Sequence, residues 1–169
     1  SKKFKFDNFK IESTVDLTQL TFSEKFLKLN SYFPNFVEEI KLKDHKIIIN
    51  FSKTKFDIKG NGDVLLEEKS DNLSYKITKD KKDLSFESTI NLKNNSLSID
   101  FLDYKKKEGL DSFISIKGHL KRNNQINFDL INLQEMNNKI SFKGLRLNKN
   151  FKILDLKNFN IDYRNIKKS

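Results

Sequence analysis

The stretch LSFESTINLKNNSLSIDF, Leu84 to Phe101, decides the fold. Leu84, Phe86, Ile90 and Leu92 hold even positions, and Leu97, Ile99 and Phe101 hold odd ones. An apolar period of two belongs to strands, whose successive side chains point to opposite faces. The polar KNNS run between the two halves predicts a turn, and so a hairpin with one apolar and one polar face. A face covered by the protein's own chain is a core, whereas a face left open is a binding surface.

Working outward, the same rhythm recurs from Lys46 onward. KIIINFS, KFDIKG, DVLLEE, NLSYKIT, DLSFESTINL, SLSIDFLDY, LDSFISIKGHL, QINFDLINL, KISFKGLRL and FKILDLKNFNIDY read as about ten strands separated by Gly, Asn, Asp and Lys turns. Gly60-Asn61-Gly62 reads as one of those turns. Open twisted sheets of this width curl or split into two layers. FDIKG, ISIKG and ISFKG (Phe56–Gly60, Ile114–Gly118, Ile140–Gly144) share an ending, which fits either repetition or chance. Across Gly144 the apolar parity moves from Ile140 and Phe142 to Leu145 and Leu147, as a β-bulge would cause.

Nearer the N-terminus, Phe4 and Phe6, then Phe9, Ile11, Val15 and Leu17, predict one or two strands with a break at Asp7-Asn8. Thr21 and Glu24 form a capping-box pattern ahead of Phe22, Phe26, Leu29 and Phe33, and Pro34 closes the run. This predicts a short helix within a helical insertion over 21–40, its aromatic stripe serving as packing. The expected fold is therefore mainly β: a curled, mostly antiparallel multi-stranded sheet, an open groove or half-barrel, with one short N-terminal helix. Residues 1–169 are expected to form a single domain of this kind, a segment of a longer repetitive protein.

Composition limits the core. Only 36% of the 169 residues are hydrophobic and 33% are charged, so apolar material is scarce. The absence of cysteine removes disulfides, thiolate nucleophiles and cysteine zinc sites. A net charge of +10 suggests phosphate-bearing partners. However, Lys, Asn, Ile and Phe all have A/T-rich codons, so genome composition accounts for the charge without a binding role. The only arginines are Arg122, Arg146 and Arg164, and lysine is the poorer residue for bidentate phosphate recognition. No apolar run approaches the ~18 residues that cross a bilayer as a helix.

No catalytic constellation emerges. His45 lies in a charged turn and His119 on a strand where it is expected to face solvent, and neither has a nucleophile beside it. Acidic residues such as Asp100 and Asp103 sit among lysines and read as solvated charges. Metal-ligand spacing is absent. No enzyme activity, cofactor or metal is expected.

Three non-catalytic readings remain. Lysines with strand-borne aromatics can form a single-strand nucleic-acid platform. Here Phe86, Phe101, Phe128 and Phe142 share their columns with Ile and Leu, so no nucleic-acid partner is expected. A second sheet over the apolar face would give a structural β-sandwich or adhesin domain. The third reading is a lipid, because shielding an acyl chain from water is worth about 0.8 kcal/mol per methylene, on the order of 10 kcal/mol for a dozen.

Several segments point toward that third reading. GNGDVLLEE, NLSYKITKD, LSFESTINLKNNSLSIDFLDYKKKEG and NNKISFKGLRLNKNFKILDLKNFNIDY follow one another in an order that resembles the later part of AsmA-like proteins of the TamB and YhdP type. The resemblance includes Leu102-Asp103-Tyr104-Lys105 after an alternating strand and the Asn137-Asn138 turn before Ile140–Leu147. It covers roughly Lys46 to Tyr163 and lies in rhythm more than in invariant motifs. It implies a β-groove in the periplasm of a Gram-negative envelope, part of a protein anchored in the inner membrane outside this segment. It also implies phospholipid acyl chains as partners and passive lipid transport to the outer membrane as function. The lining it implies is the apolar parity: Phe86, Ile90, Ile99, Phe101, Ile114, Ile116, Ile126, Phe128, Ile140, Phe142 and Ile153.

Overall fold

The computed structural model describes residues 9–23, 29–36, 38–80, 83–121 and 125–162. Ten strands form one open antiparallel sheet. In spatial order it contains β1 (Lys10–Ser23), β2 (Glu39–Ser52), β3 (Phe56–Leu65), β4 (Ser70–Lys79), β5 (Leu84–Asn91), β8 (Ser112–Leu120), β9 (Ile126–Glu135) and β10 (Asn138–Leu147). The far edge of β10 is shared by β11 (Ile153–Asp155) and β12 (Asn158–Asp162). Between β5 and β8 the chain leaves the sheet to form β6 (Leu97–Ile99) and β7 (Tyr104–Lys106), which pair only with each other.

The expected N-terminal helix is corrected. Thr21 and Phe22 belong to β1, paired with Lys41 and Ile40 of β2, and among the described residues of 21–40 the one helical piece is the 3-10 turn Leu29–Ser31. A capping-box pattern is a local preference, and the long β1–β2 ladder overrides it by pairing the side of β1 that faces β2 along 14 residues. Phe33 does become a packing residue, 5% exposed, but from an irregular segment. Glu24, Phe26, Phe4, Phe6 and the Asp7-Asn8 break lie outside the described residues.

Three further expectations change. The Leu84–Phe101 stretch is not a hairpin: β5 pairs with β4 and β8, and Leu97–Ile99 pairs with Tyr104–Lys106. Gly60-Asn61-Gly62 is not a turn but the middle of β3, which merges two expected strands. Its glycines sit beneath neighbouring rings, because a Cβ on Gly60 would lie 2.2 Å from the Tyr75 ring and one on Gly62 2.5 Å from the His45 ring. Finally, β2 begins at Glu39 and not at Lys46. A bulge against β3 at Lys43–Lys46, with Asp44 in the left-handed region at φ 51°, carries the strand through the charged KLKDHK run.

The parity change anticipated at Gly144 is present. Gly144 has φ 66°, Phe142 stands opposite Ile131, and Leu145 stands opposite Phe128. The apolar positions of β9 and β10 therefore shift together and stay on one face.

The two long connections, 24–38 and 92–111, leave from the same end of the sheet as the 66–69 and 136–137 turns. The fully buried apolar residues gather at that end: Phe33, Val64, Leu66, Leu92, Leu97, Tyr104, Leu133 and Ile140. A second sheet of two three-residue strands covers this end and nothing of comparable size covers the rest among the described residues.

Candidate functional site: an uncovered apolar face

Cross-strand register places the apolar side chains in rows running across the strands. The first row is Gly62, Leu73, Ile90, Ile114, Leu133, Ile140 and Ile161. The second is Ile47, Gly60, Tyr75, Ser88, Ile116, Ile131, Phe142 and Phe159. The third is Ile49, Ile58, Ile77, Phe86, Gly118, Phe128 and Leu145. The fourth is Phe51, Phe56, Lys79, Leu84, Leu120, Ile126, Leu147 and Ile153. Directly opposed side chains are close enough to pack, so each row is a strip, interrupted by Ser88 in the second and Lys79 in the fourth.

Cover is concentrated on the first row, apart from Ile161 at its edge, and reaches Phe142 of the second. Leu133 and Ile140 are buried there, and Leu73, Ile90 and Ile114 pack against the same cluster. In the other three rows side chains are half-buried or exposed and rest mainly on one another. Phe86 meets Phe128 edge to face at 5.8 Å, and Phe142 stacks on Phe159 at 4.6 Å. From β2 to β10 the strips cross six interstrand steps, roughly 29 Å at about 4.8 Å a step.

Of the candidate lining residues, Phe86, Ile90, Ile114, Ile116, Ile126, Phe128, Ile140 and Phe142 share this face. Ile153 belongs to the fourth row at the sheet edge and is 69% exposed. Two are corrected. Ile99 lies on β6, packed against the buried cluster, and Phe101 lies in the 3-10 turn Asp100–Leu102, 70% exposed. Their parity matched that of a strand, but a short excursion of the chain separates them from the sheet. Ile47, Ile49, Ile58, Leu73 and Ile77 extend the same face upstream of Phe86, and their period-two spacing carried the signal.

Polar groups on this face are few. Tyr75 lies over Gly60 beside His45, ring centroids 5.8 Å apart, and burial pushes the Tyr75 hydroxyl above its ordinary pKa. His45 is no solvent-facing turn residue: it is 1% exposed, with Nε2 2.9 Å from the Asp63 carbonyl. His119 is half-buried on the opposite face, its Nε2 3.0 Å from Asn127 Nδ2.

That opposite face carries the charges. The Lys117 ammonium meets Glu87 at 3.0 Å, and the Glu87 carboxyl is held below its ordinary value by that bond. Asp57 is likewise held low by its bond to Lys55 at 2.8 Å, then by the Thr78 hydroxyl at 2.6 Å. No group of three or more potential metal ligands occurs among the described residues. No helix there is long and apolar enough to cross a membrane.

No protein-family model, curated protein or solved structure matches this chain. The functional reading therefore stands on the geometry of the face.

Proposed function

We propose that this chain is a non-catalytic segment of an AsmA-like envelope protein, and that its apolar face, curled into a groove, shields phospholipid acyl chains. In this reading it lies in the periplasm, tethered through an inner-membrane anchor outside the segment, and lipid passes along it toward the outer membrane. The observation that carries the reading is the uncovered extent of the face: apart from Phe142, three mostly apolar rows lack a covering layer among the described residues. A strip of Ile, Leu and Phe side chains supplies hydrocarbon contact without selecting a chemical group, which suits a passive conduit. The charged opposite face keeps such a ribbon soluble and discourages stray association.

The test is lipid content. Protein purified from cells is expected to carry phospholipid, detected by native mass spectrometry and by extraction. Ile116→Asp, which places a carboxylate in the middle of the second row, is expected to lower that load several-fold while the β-type circular dichroism persists. Lipid-free wild-type protein, or an Ile116→Asp variant with an undiminished load, overturns the reading.

A further inference from the structure

The β6–β7 excursion is fastened to the sheet by side chains. Its two strands pair only with each other, so no ladder ties them to the main sheet. The fastening is a polar latch at the base. Asp71, at the start of β4 and 4% exposed, accepts the backbone N–H groups of Lys93 and Asn94 on Oδ1 at 2.8 and 2.7 Å. Its Oδ2 accepts the backbone N–H and the side-chain amide of Asn95 at 3.2 and 2.7 Å.

The carbonyls of the same loop are gripped from the other side. Lys106 Nζ donates to the carbonyls of Lys93 at 2.9 Å and Asn95 at 2.6 Å, and the Lys106 side chain is 2% exposed. Burial lowers its pKa, with Asp71 the leading opposing charge. Further bonds tie the excursion down: the Tyr104 hydroxyl donates to Glu135, the Ser98 N–H to the Tyr32 carbonyl at 2.8 Å, and the Asn94 and Asn95 side-chain amides to the Ser70 and Lys69 carbonyls at 2.7 and 3.0 Å. Beyond the latch, Leu97 and Tyr104 belong to the same buried cluster as Leu133 and Ile140 of the first row. Both connections of β7 pass through the left-handed region, at Asp103 (φ 48°) and Gly109 (φ 84°), and a Cβ on Gly109 would meet nothing within 4 Å.

We infer that residues 93–111 form a latched flap that occludes the first row, so that the latch sets how much of the apolar face is open to lipid. The inference rests on the lipid-shielding reading above and adds its regulation. Charge-assisted bonds to a loop backbone are strong while closed and are lost together when one member goes, whereas an interdigitated layer would yield gradually. Opening the flap withdraws Leu97, Ile99 and Tyr104 from the cluster that Leu73, Ile90, Ile114, Leu133 and Ile140 share, leaving Leu29, Phe33 and Phe36 as the remaining cover and the main ladder intact.

The experiment compares wild type with Asp71→Ala, and with Lys106→Met, which removes only the carbonyl-side grip and keeps the apolar stem. Amide hydrogen exchange reads the flap, and native mass spectrometry in the presence of a short-chain phosphatidylcholine counts bound lipid. In Asp71→Ala, exchange across 93–106 is expected to quicken about tenfold or more while β8 and β9 stay protected, and lipid per chain is expected to rise. Faster exchange at 93–106 with unchanged or reduced lipid overturns the flap, as does loss of β8 and β9 protection in both variants, which would make the excursion an integral core. Wild-type protein that binds no lipid overturns the proposed function itself, a result separate from either.

Discussion

Glycines under rings are the residues at which single atoms decide most in this sheet. A Cβ at Gly118 would lie 2.3 Å from the backbone oxygen of Asn127, with the Phe86 ring at 2.9 Å on the other side. At Gly60 the nearest atoms all belong to the Tyr75 ring, the free end of a side chain that can turn aside. Gly118→Ala is therefore expected to destabilise by about 1–3 kcal/mol, since backbone must move. Gly60→Ala should cost less than about 1 kcal/mol, because the reduced freedom of the unfolded chain partly offsets the displaced ring. Urea denaturation of the two variants reads the difference, and equal costs would refute the distinction. The same residues show where sequence reading reached its limit. Gly60-Asn61-Gly62 has the composition of a turn, yet close approach of a neighbouring ring requires glycine as firmly as a turn does, and nothing local separates the two.

At the scale of elements, the alternating columns of β3, β4, β5, β8, β9 and β10 were legible because each strand has one face against apolar neighbours and one against water. What was not legible is pairing. Leu97 and Ile99 have strand parity, but their partner is Tyr104–Lys106 and not β5, a choice made by the Asp71 latch from 22 to 24 residues away in sequence. Likewise, Phe22, Leu29 and Phe33 are spaced as on a helix, while the β2 ladder claims the first of them. His45 was hidden because the bulge at Asp44 breaks the alternation that would have marked it as inward-facing. The uneven coverage of the face gives a stability contrast. Leu133, 6% exposed beneath the flap, should cost about 2–5 kcal/mol on replacement by Ala. Phe128, only partly buried in the third row, should cost only about 1–2 kcal/mol despite its larger side chain, because part of its surface stays in contact with water in the folded state. Denaturant midpoints that reverse this order would mean that the outer rows are as well buried as the first.

At the scale of the whole molecule, the fully buried apolar residues lie at one end of a ten-stranded sheet. The other three rows must be held by ladder hydrogen bonds and by pairs such as Phe86–Phe128, worth a few tenths to about 1 kcal/mol each. A sheet built in this way gains more from a ligand that fills its face than a protein with a closed core would. Anything that binds only the folded state stabilises it by mass action, about 2.7 kcal/mol at a hundred times the dissociation constant. Short-chain phospholipid added below its micelle concentration should therefore raise the melting temperature progressively, until the face is filled. Ile116→Asp should lose most of that rise while melting near the wild-type temperature in buffer, because the second row has little of its own packing to lose. Adding salt in place of lipid should not reproduce the rise, since the contacts are apolar and the Glu87–Lys117 pair on the other face is solvent-exposed. A melting temperature indifferent to phospholipid would mean that hydrocarbon does not cover this face.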